Sequence, residues 1–282
     1  MTQKLTIAMI ILLGEIFLSV QVQSHVLESN TSFIHAESDT DAEYHKHEIL
    51  GFTVHILVED VEDQPELAEQ MLWYVRGQLQ NLVNVLPSDK LKLLQTVEIW
   101  VNDDYDEDDE LCGIACYVPE RYRGVDFFED RAGAVIIRDF EILLDSSWCC
   151  TFSTMIHEMA HAFHDQFIED GFNNDFIEET YDDAVDSGDF ENNKVMYPWW
   201  DEQRRDHYGM TDEYEFFATM SQTYFLWYWV YPYNVRDLYE DFYDAYRMVV
   251  NSWFGDVEDG EVDPSSTQNL PADILQPEVI LP

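Results

Sequence analysis

Positive charge is what this chain has least of: 14 Lys and Arg stand against 58 Asp and Glu, a formal net charge of −44 with a pI near 4.1. Such a field repels nucleic-acid phosphates and anionic membrane surfaces, so neither is an expected partner. Basic ligands, divalent cations and mineral surfaces stay compatible with it. Glycine and proline are sparse, at 11 and 9 residues of 282, and no Pro/Gly/Ser-rich linker interrupts residues 48–255. One catalytic-sized domain is therefore expected. There is no glycine-rich phosphate loop and no supported serine or cysteine nucleophile. The four cysteines do not form paired C-x-x-C units, which argues against a cysteine-held metal. After residue 24 no apolar run approaches a membrane span. What is present is apolar mass: 46% hydrophobic and 15% aromatic residues, enough for a core and too much for a wholly disordered chain.

Residues 1–24 have the pattern of a secretory signal peptide, with Lys4 in the n-region, an apolar stretch from Leu5 to Val20, and Val22 and Ser24 before a cut at His25. Glu15 and the shortness of the stretch argue against a membrane anchor. Removing the segment takes one Lys and one Glu, so the charge stays at −44. A secreted, extracellular protein is expected. Cys112, Cys116, Cys149 and Cys150 fit an oxidising compartment, with two bridges joining the first pair to the second favoured among the possible pairings. Asn30-Thr31-Ser32 is a glycosylation sequon.

Residues 25–47 are polar and patternless, and a flexible leader is expected there. GFTVHILV (51–58) predicts a strand, and Pro65 to Leu86 has helical spacing at Leu67, Met71, Leu72, Val75, Leu79, Leu82 and Val83. Thr96–Val101 and Ala134–Ile137 predict two more strands. A single domain over 48–255 would then be α+β, with strands and a helix preceding a mainly helical half. The segment 256–282 is acidic and proline-containing, expected to form a disordered tail.

The chemistry lies in His157-Glu158-Met159-Ala160-His161. On a helix, positions i and i+4 share a face, so both histidines can hold one ion while Glu158 acts as general base toward a metal-activated water. The flanks Phe152, Met155, Ile156, Met159, Ala162 and Phe163 are apolar, as in a buried helix. His164 lies about 10 Å along the axis from His157, too far to share the ion, and reads as a packed histidine. A catalytic zinc needs a third protein ligand. Glu215, among Phe216, Phe217 and Met220 on a downstream helix, supplies it; a carboxylate there is costly unless it meets a cation. Glu213 competes for the role but suits a solvated first turn, with Thr211 as a candidate cap.

HEMAHAFHDQ (157–166) and YGMTDEYEFFA (208–218) together resemble the anthrax-lethal-factor-like zinc metallopeptidases, a gluzincin-type family. GIACYVP (113–119) and YPYNVRDLY (231–239) add patchy likeness over residues 50–255. The resemblance implies a zincin-like fold, one zinc held by His157, His161 and Glu215, Glu158 as base, and Tyr208, seven residues before Glu215, as hydrogen-bond donor to the oxyanion. Thr219 departs from the acidic residue the family commonly places directly after the Ala of its ligand helix. Asp165 or Asp212 are the substitutes available to orient a ligand.

The aromatic stretch Tyr224–Tyr233 reads as core packing rather than a substrate platform. The acidic runs 103–110, 182–191 and 256–263 lack the EF-hand pattern and read as solvated loops, with only loose, collective Ca2+ binding to be expected. The function expected is secreted, zinc-dependent hydrolysis of peptide or protein substrates, with basic ones favoured by the charge. The alternative is an acidic extracellular-matrix or mineral-associated protein that keeps a peptidase-like fold with weak or no catalysis.

Overall fold

The computed structural model describes residues 34–36, 43–101, 115–123, 131–137, 153–195 and 204–255. The expected signal peptide, the sequon, the acidic runs 103–110 and 256–263 and the tail lie outside the described residues. The chain divides into two compact units, Met1–Ile34 and His35–Pro282; the elements below belong to the second, save Ile34 itself.

The architecture is a mixed sheet followed by a mostly helical remainder, compatible with α+β. The strands are β1 (Ile34–Ala36), β2 (Tyr44–Ile49), β3 (Phe52–Leu57), β4 (Ile99–Val101), β5 (Ala115–Tyr117) and β6 (Val135–Ile137), in spatial order β1-β2-β3-β4-β6-β5. Strand β3 runs parallel to β4 and β4 parallel to β6, while β2 pairs antiparallel with β3 and β5 with β6. Strands β4 and β6 are apolar on both faces, as expected where both faces are covered. Val54, Ile99 and Val135 align in register, as do Ile56, Val101 and Ile137, and all six join the core that the helices cover. Trp100 and Ile136 face the other way into a smaller cluster with Tyr44, Val118 and Ala134. There His55 stacks on Trp100 at 3.8 Å, and the Arg131 guanidinium lies 3.5 Å from the Trp100 ring centre.

Between β3 and β4 run α1 (Val58–Asp63), α2 (Pro65–Val85) and α3 (Ser88–Leu94). Proline at the start of α2 leaves no helical bond unmade. The helical half holds α4 (Thr154–Phe167), α5 (Asp175–Ser187), α6 (Glu213–Phe225), α7 (Val235–Asp241) and α8 (Tyr243–Phe254), with a minor ribbon of β7 (Asn193–Lys194) and β8 (Arg204–Arg205). Phe163 of α4 stacks on Trp253 of α8 at 3.9 Å, and the Trp253 indole N–H donates to Ser221 Oγ of α6 at 3.0 Å. This buried contact locks the three helices together.

Three expectations need correction. The expected leader to residue 47 contains β1 and most of β2; the inward positions of β2 include His47, only 2% exposed, so that strand lacks the usual apolar signature. The acidic stretch from Asp182 is not a loop at its start, because α5 continues to Ser187, carried by Ile177 and the half-buried Tyr181 and Ala184. The cap of α6 is Asp212, not Thr211: Asp212 Oδ1 accepts from the Glu215 N–H at 2.8 Å, and Thr211 Oγ1 instead donates to the Tyr208 carbonyl at 2.7 Å. Tyr224, Phe225, Tyr228, Trp229 and Val230 are buried, as core packing requires. Cys116 is disulfide-bonded; Cys112, Cys149 and Cys150 lie outside the described residues.

Candidate metal centre

Helix α4 is apolar on most of its circumference and is buried against α6, α2 and the edge strand β5. That burial turns its one polar stripe, His157 and His161, toward the start of α6. The Asp212 cap fixes the backbone N–H of Glu215 itself, so the third side chain is aimed by the bond that begins its helix. The three ligand atoms converge. His157 Nε2 lies 2.9 Å from Glu215 Oε2 and 3.2 Å from His161 Nε2, and His161 Nε2 lies 3.5 Å from Glu215 Oε2. A tetrahedral ion with bonds of about 2.0–2.1 Å separates its ligands by about 3.3–3.4 Å. The triangle has that size, so the donor set fits a metal ion, and among the described residues it is the one group of this kind.

The electrostatics of the bare donors agree. Burial opposes charge on Glu215, but its hydrogen bonds to His157 and His161 and their charges outweigh it and hold the carboxyl well below the usual range. Burial likewise opposes a charged His157, and the hydrogen bond to Glu215, the Glu158 and Glu215 charges and a hydrogen bond with Gln222 draw its pKa up. These three side chains are preset for a cation in their midst.

Glu158 is buried at 7% exposure, and burial raises its pKa against the pull of His157 and His161. Its carboxylate accepts from the Tyr117 backbone N–H on β5. Tyr208 stands in a 3-10 turn (Tyr208–Met210) and remains 46% exposed to the cleft. Its hydroxyl donates to Glu215 Oε1 at 2.9 Å, and burial together with the Glu215 charge pushes the phenol well above its ordinary value. It is a proton donor across the neutral range. The turn sits close on α6 because Gly209 has no side chain: a Cβ there would meet His207 Nδ1 at 3.1 Å and Phe216 Cα at 3.2 Å.

The cleft in front of these groups has a volume of about 200 Å³ and is walled by β5, Pro119, Arg121, Phe172, Tyr208 and Tyr214. Its β5 wall is tied to α4 by Asp165, whose Oδ2 accepts from Tyr117 Oη at 2.8 Å and from the Glu120 N–H at 2.9 Å.

All five residues expected at the site thus lie together. The supporting set differs. Asp165 holds the cleft wall and Asp212 caps α6, so neither orients a ligand histidine. Thr219 is fully buried, and its hydroxyl has no hydrogen-bond partner among the described residues. Gln222, one turn further along α6, takes the orienting place: it hydrogen-bonds His157, and its Nε2 donates to Ser153 Oγ at 2.5 Å, just before α4. Glu213 stays in the first turn beside Tyr214, and His164 packs between Phe172 and Phe217 with burial depressing its pKa to about 3. His207 was not singled out in sequence: it is buried, its Nδ1 accepts from the Gly209 N–H at 3.2 Å, and burial and Arg205 lower it to about 3. A histidine directly before Tyr-Gly was the available signal for it; nothing in the local pattern pointed to Gln222.

Compared with family models, curated proteins and solved structures, the chain matches none.

Proposed function

We propose that this chain is a secreted zinc metallopeptidase of zincin-like fold that hydrolyses peptide bonds. The observation that carries the reading is the 2.9–3.5 Å triangle of two imidazoles and a carboxylate, with Glu158 buried beside it in an open cleft. Two neutral nitrogens and one anionic oxygen form a donor set zinc favours in hydrolytic sites, and one position is left for chemistry. His157, His161 and Glu215 would hold the ion, which when bound supplies Lewis acidity to a carbonyl and lowers the pKa of water to about 7. The remaining work belongs to the protein. Glu158 receives the proton of the attacking water on its carboxylate and returns it to the leaving amine; a pKa raised by burial suits both halves of that task. Tyr208, held in its protonated form, donates its hydroxyl hydrogen bond to the oxyanion that develops at the scissile carbonyl. The likeness to lethal-factor-type sequences supports the same assignment.

The decisive experiment is elemental analysis of purified protein alongside cleavage of a diverse peptide library with and without chelator. About one zinc per chain and chelator-sensitive cleavage are expected. Glu158→Gln should keep the metal and lose at least about a thousandfold in kcat. A wild type without zinc sinks the proposal, and metal-free protein that instead binds calcium tightly and cleaves nothing would favour the matrix or mineral role.

A further inference from the structure

The cleft has one cationic wall residue. Among the residues lining the cleft, Arg121 is the sole Lys or Arg. The guanidinium of Arg123, two positions on, is clamped by Glu120 at 2.7–2.8 Å. Arg121 makes no ion pair with a carboxylate among the described residues. It lies 5.4 Å from the centre of Tyr122 and 5.7 Å from the centre of Phe172, and it hydrogen-bonds the Tyr122 and Tyr214 side chains. Phe172 and Tyr214 lie against each other at 4.4 Å and form the adjoining wall. The three carboxylates of the cleft are committed: Glu215 to the histidines and Tyr208, Asp212 to the helix cap, Glu158 to the Tyr117 N–H. Glu213, outside the lining, is engaged with Tyr214.

A guanidinium carries five N–H donors in a planar fork, so those not engaged by the Tyr122 and Tyr214 side chains can still meet a carboxylate. We propose that Arg121, with Phe172 and Tyr214, is a carboxylate-recognising subsite, so that the enzyme prefers peptides presenting an acidic group beside the scissile bond. This rests on the peptidase reading for its catalytic consequence, though not for the binding itself. The overall negative field does not exclude such substrates. Salt screens charges separated by more than about 8 Å at physiological ionic strength, whereas Arg121 acts on a bound group at contact. Long-range attraction of basic peptides and short-range selection of an acidic side chain are separable. The first falls with salt; the second falls little.

Two sources could supply the carboxylate, an Asp or Glu side chain or a free C-terminus. Matched capped peptides carrying Glu, Gln or Lys near the cleavage point, each made with an amidated and a free C-terminus, distinguish them. With wild type, kcat/KM for Glu over Gln should be about tenfold or more, in either the amidated set or only the free-acid comparison. The ratio should fall to about one in Arg121→Ala, reverse toward Lys in Arg121→Glu, and recover in part in Arg121→Lys. If Arg121 merely staples its turn to Phe172, Ala and Glu variants would lower cleavage of all peptides alike and leave the ratio unchanged, which overturns the proposal. Binding is read separately by calorimetry with the same peptides on Glu158→Gln protein. A loss of Glu-peptide affinity of about tenfold on adding Arg121→Glu supports the subsite even if wild type proves inactive, and equal affinity refutes it.

Discussion

His157 is gripped from two sides. Its Nε2 faces Glu215 and His161, and Gln222, which also bonds Ser153, hydrogen-bonds its side chain. A ligand imidazole whose orientation is set this way loses less freedom when it binds metal, and partners of this kind are worth about 10–100-fold in metal affinity. Gln222→Ala is therefore expected to weaken zinc binding by about that factor, measured by competition with a chelator of known affinity, while Gln222→Glu, which keeps an acceptor, retains most of it. Unchanged affinity in the alanine variant would reduce Gln222 to a packing role. The residue-level chemistry of His157, Glu158 and His161 was legible in sequence because i and i+4 on a helix are neighbours whatever the rest of the fold does. Gln222 was not, since its two partners lie 65 and 69 positions earlier in the chain. Thr219 looked like the missing support; the support stands one turn away on the same face of α6.

The element that aims Tyr208 is the short turn before α6, pressed onto the helix at Gly209. A methyl group there meets the backbone of Phe216, which cannot rotate away as a side-chain end could. Gly209→Ala should push the turn outward and carry the Tyr208 hydroxyl with it. The expected outcome is a kcat lowered by about tenfold to a hundredfold with zinc content intact, checked by steady-state kinetics on metal-quantified protein. Loss of zinc in parallel would mean that the turn supports Glu215 rather than Tyr208 alone. Strands β3, β4 and β6 and helices α2, α4 and α6 were readable from hydrophobic pattern, with ends displaced by a few residues. Strand β2 was hidden because histidines occupy positions where a strand usually shows Val or Ile. The cap of α6 shifted by one residue because Thr and Asp are both good caps, and Thr211 was drawn off to close the turn before it.

At the scale of the molecule, buried histidines set the response to acid. His207 and His164 each titrate near 3, and burial with the charges of His45 and His55 depresses His47 as well. Between about 6.5 and 3 the unfolded chain binds protons at these sites that the folded chain refuses, so stability falls as pH falls through that window. Glu215 acts in the same direction below its ordinary value, since its folded pKa is depressed; His157, drawn upward, opposes them. With excess chelator present to remove metal linkage, Tm should drop steadily from pH 6.5 toward 4. A flat or rising Tm over that range would contradict the burial of these neutral imidazoles. No described helix is long and apolar enough to cross a membrane.

By itself the sequence determined the charge, the order of strands before helices, and a helix whose polar stripe is His157 and His161, because these depend on composition and on neighbours within a turn or two. Only the tertiary structure decided the size of the triangle that Glu215 closes, that Gln222 supports it, and that Arg121 lines the cleft with no carboxylate partner among the described residues. Each of those facts depends on a distance between segments tens of residues apart. Such distances are set by how α4, α6 and β5 bury their apolar faces on one another, and local pattern does not encode them.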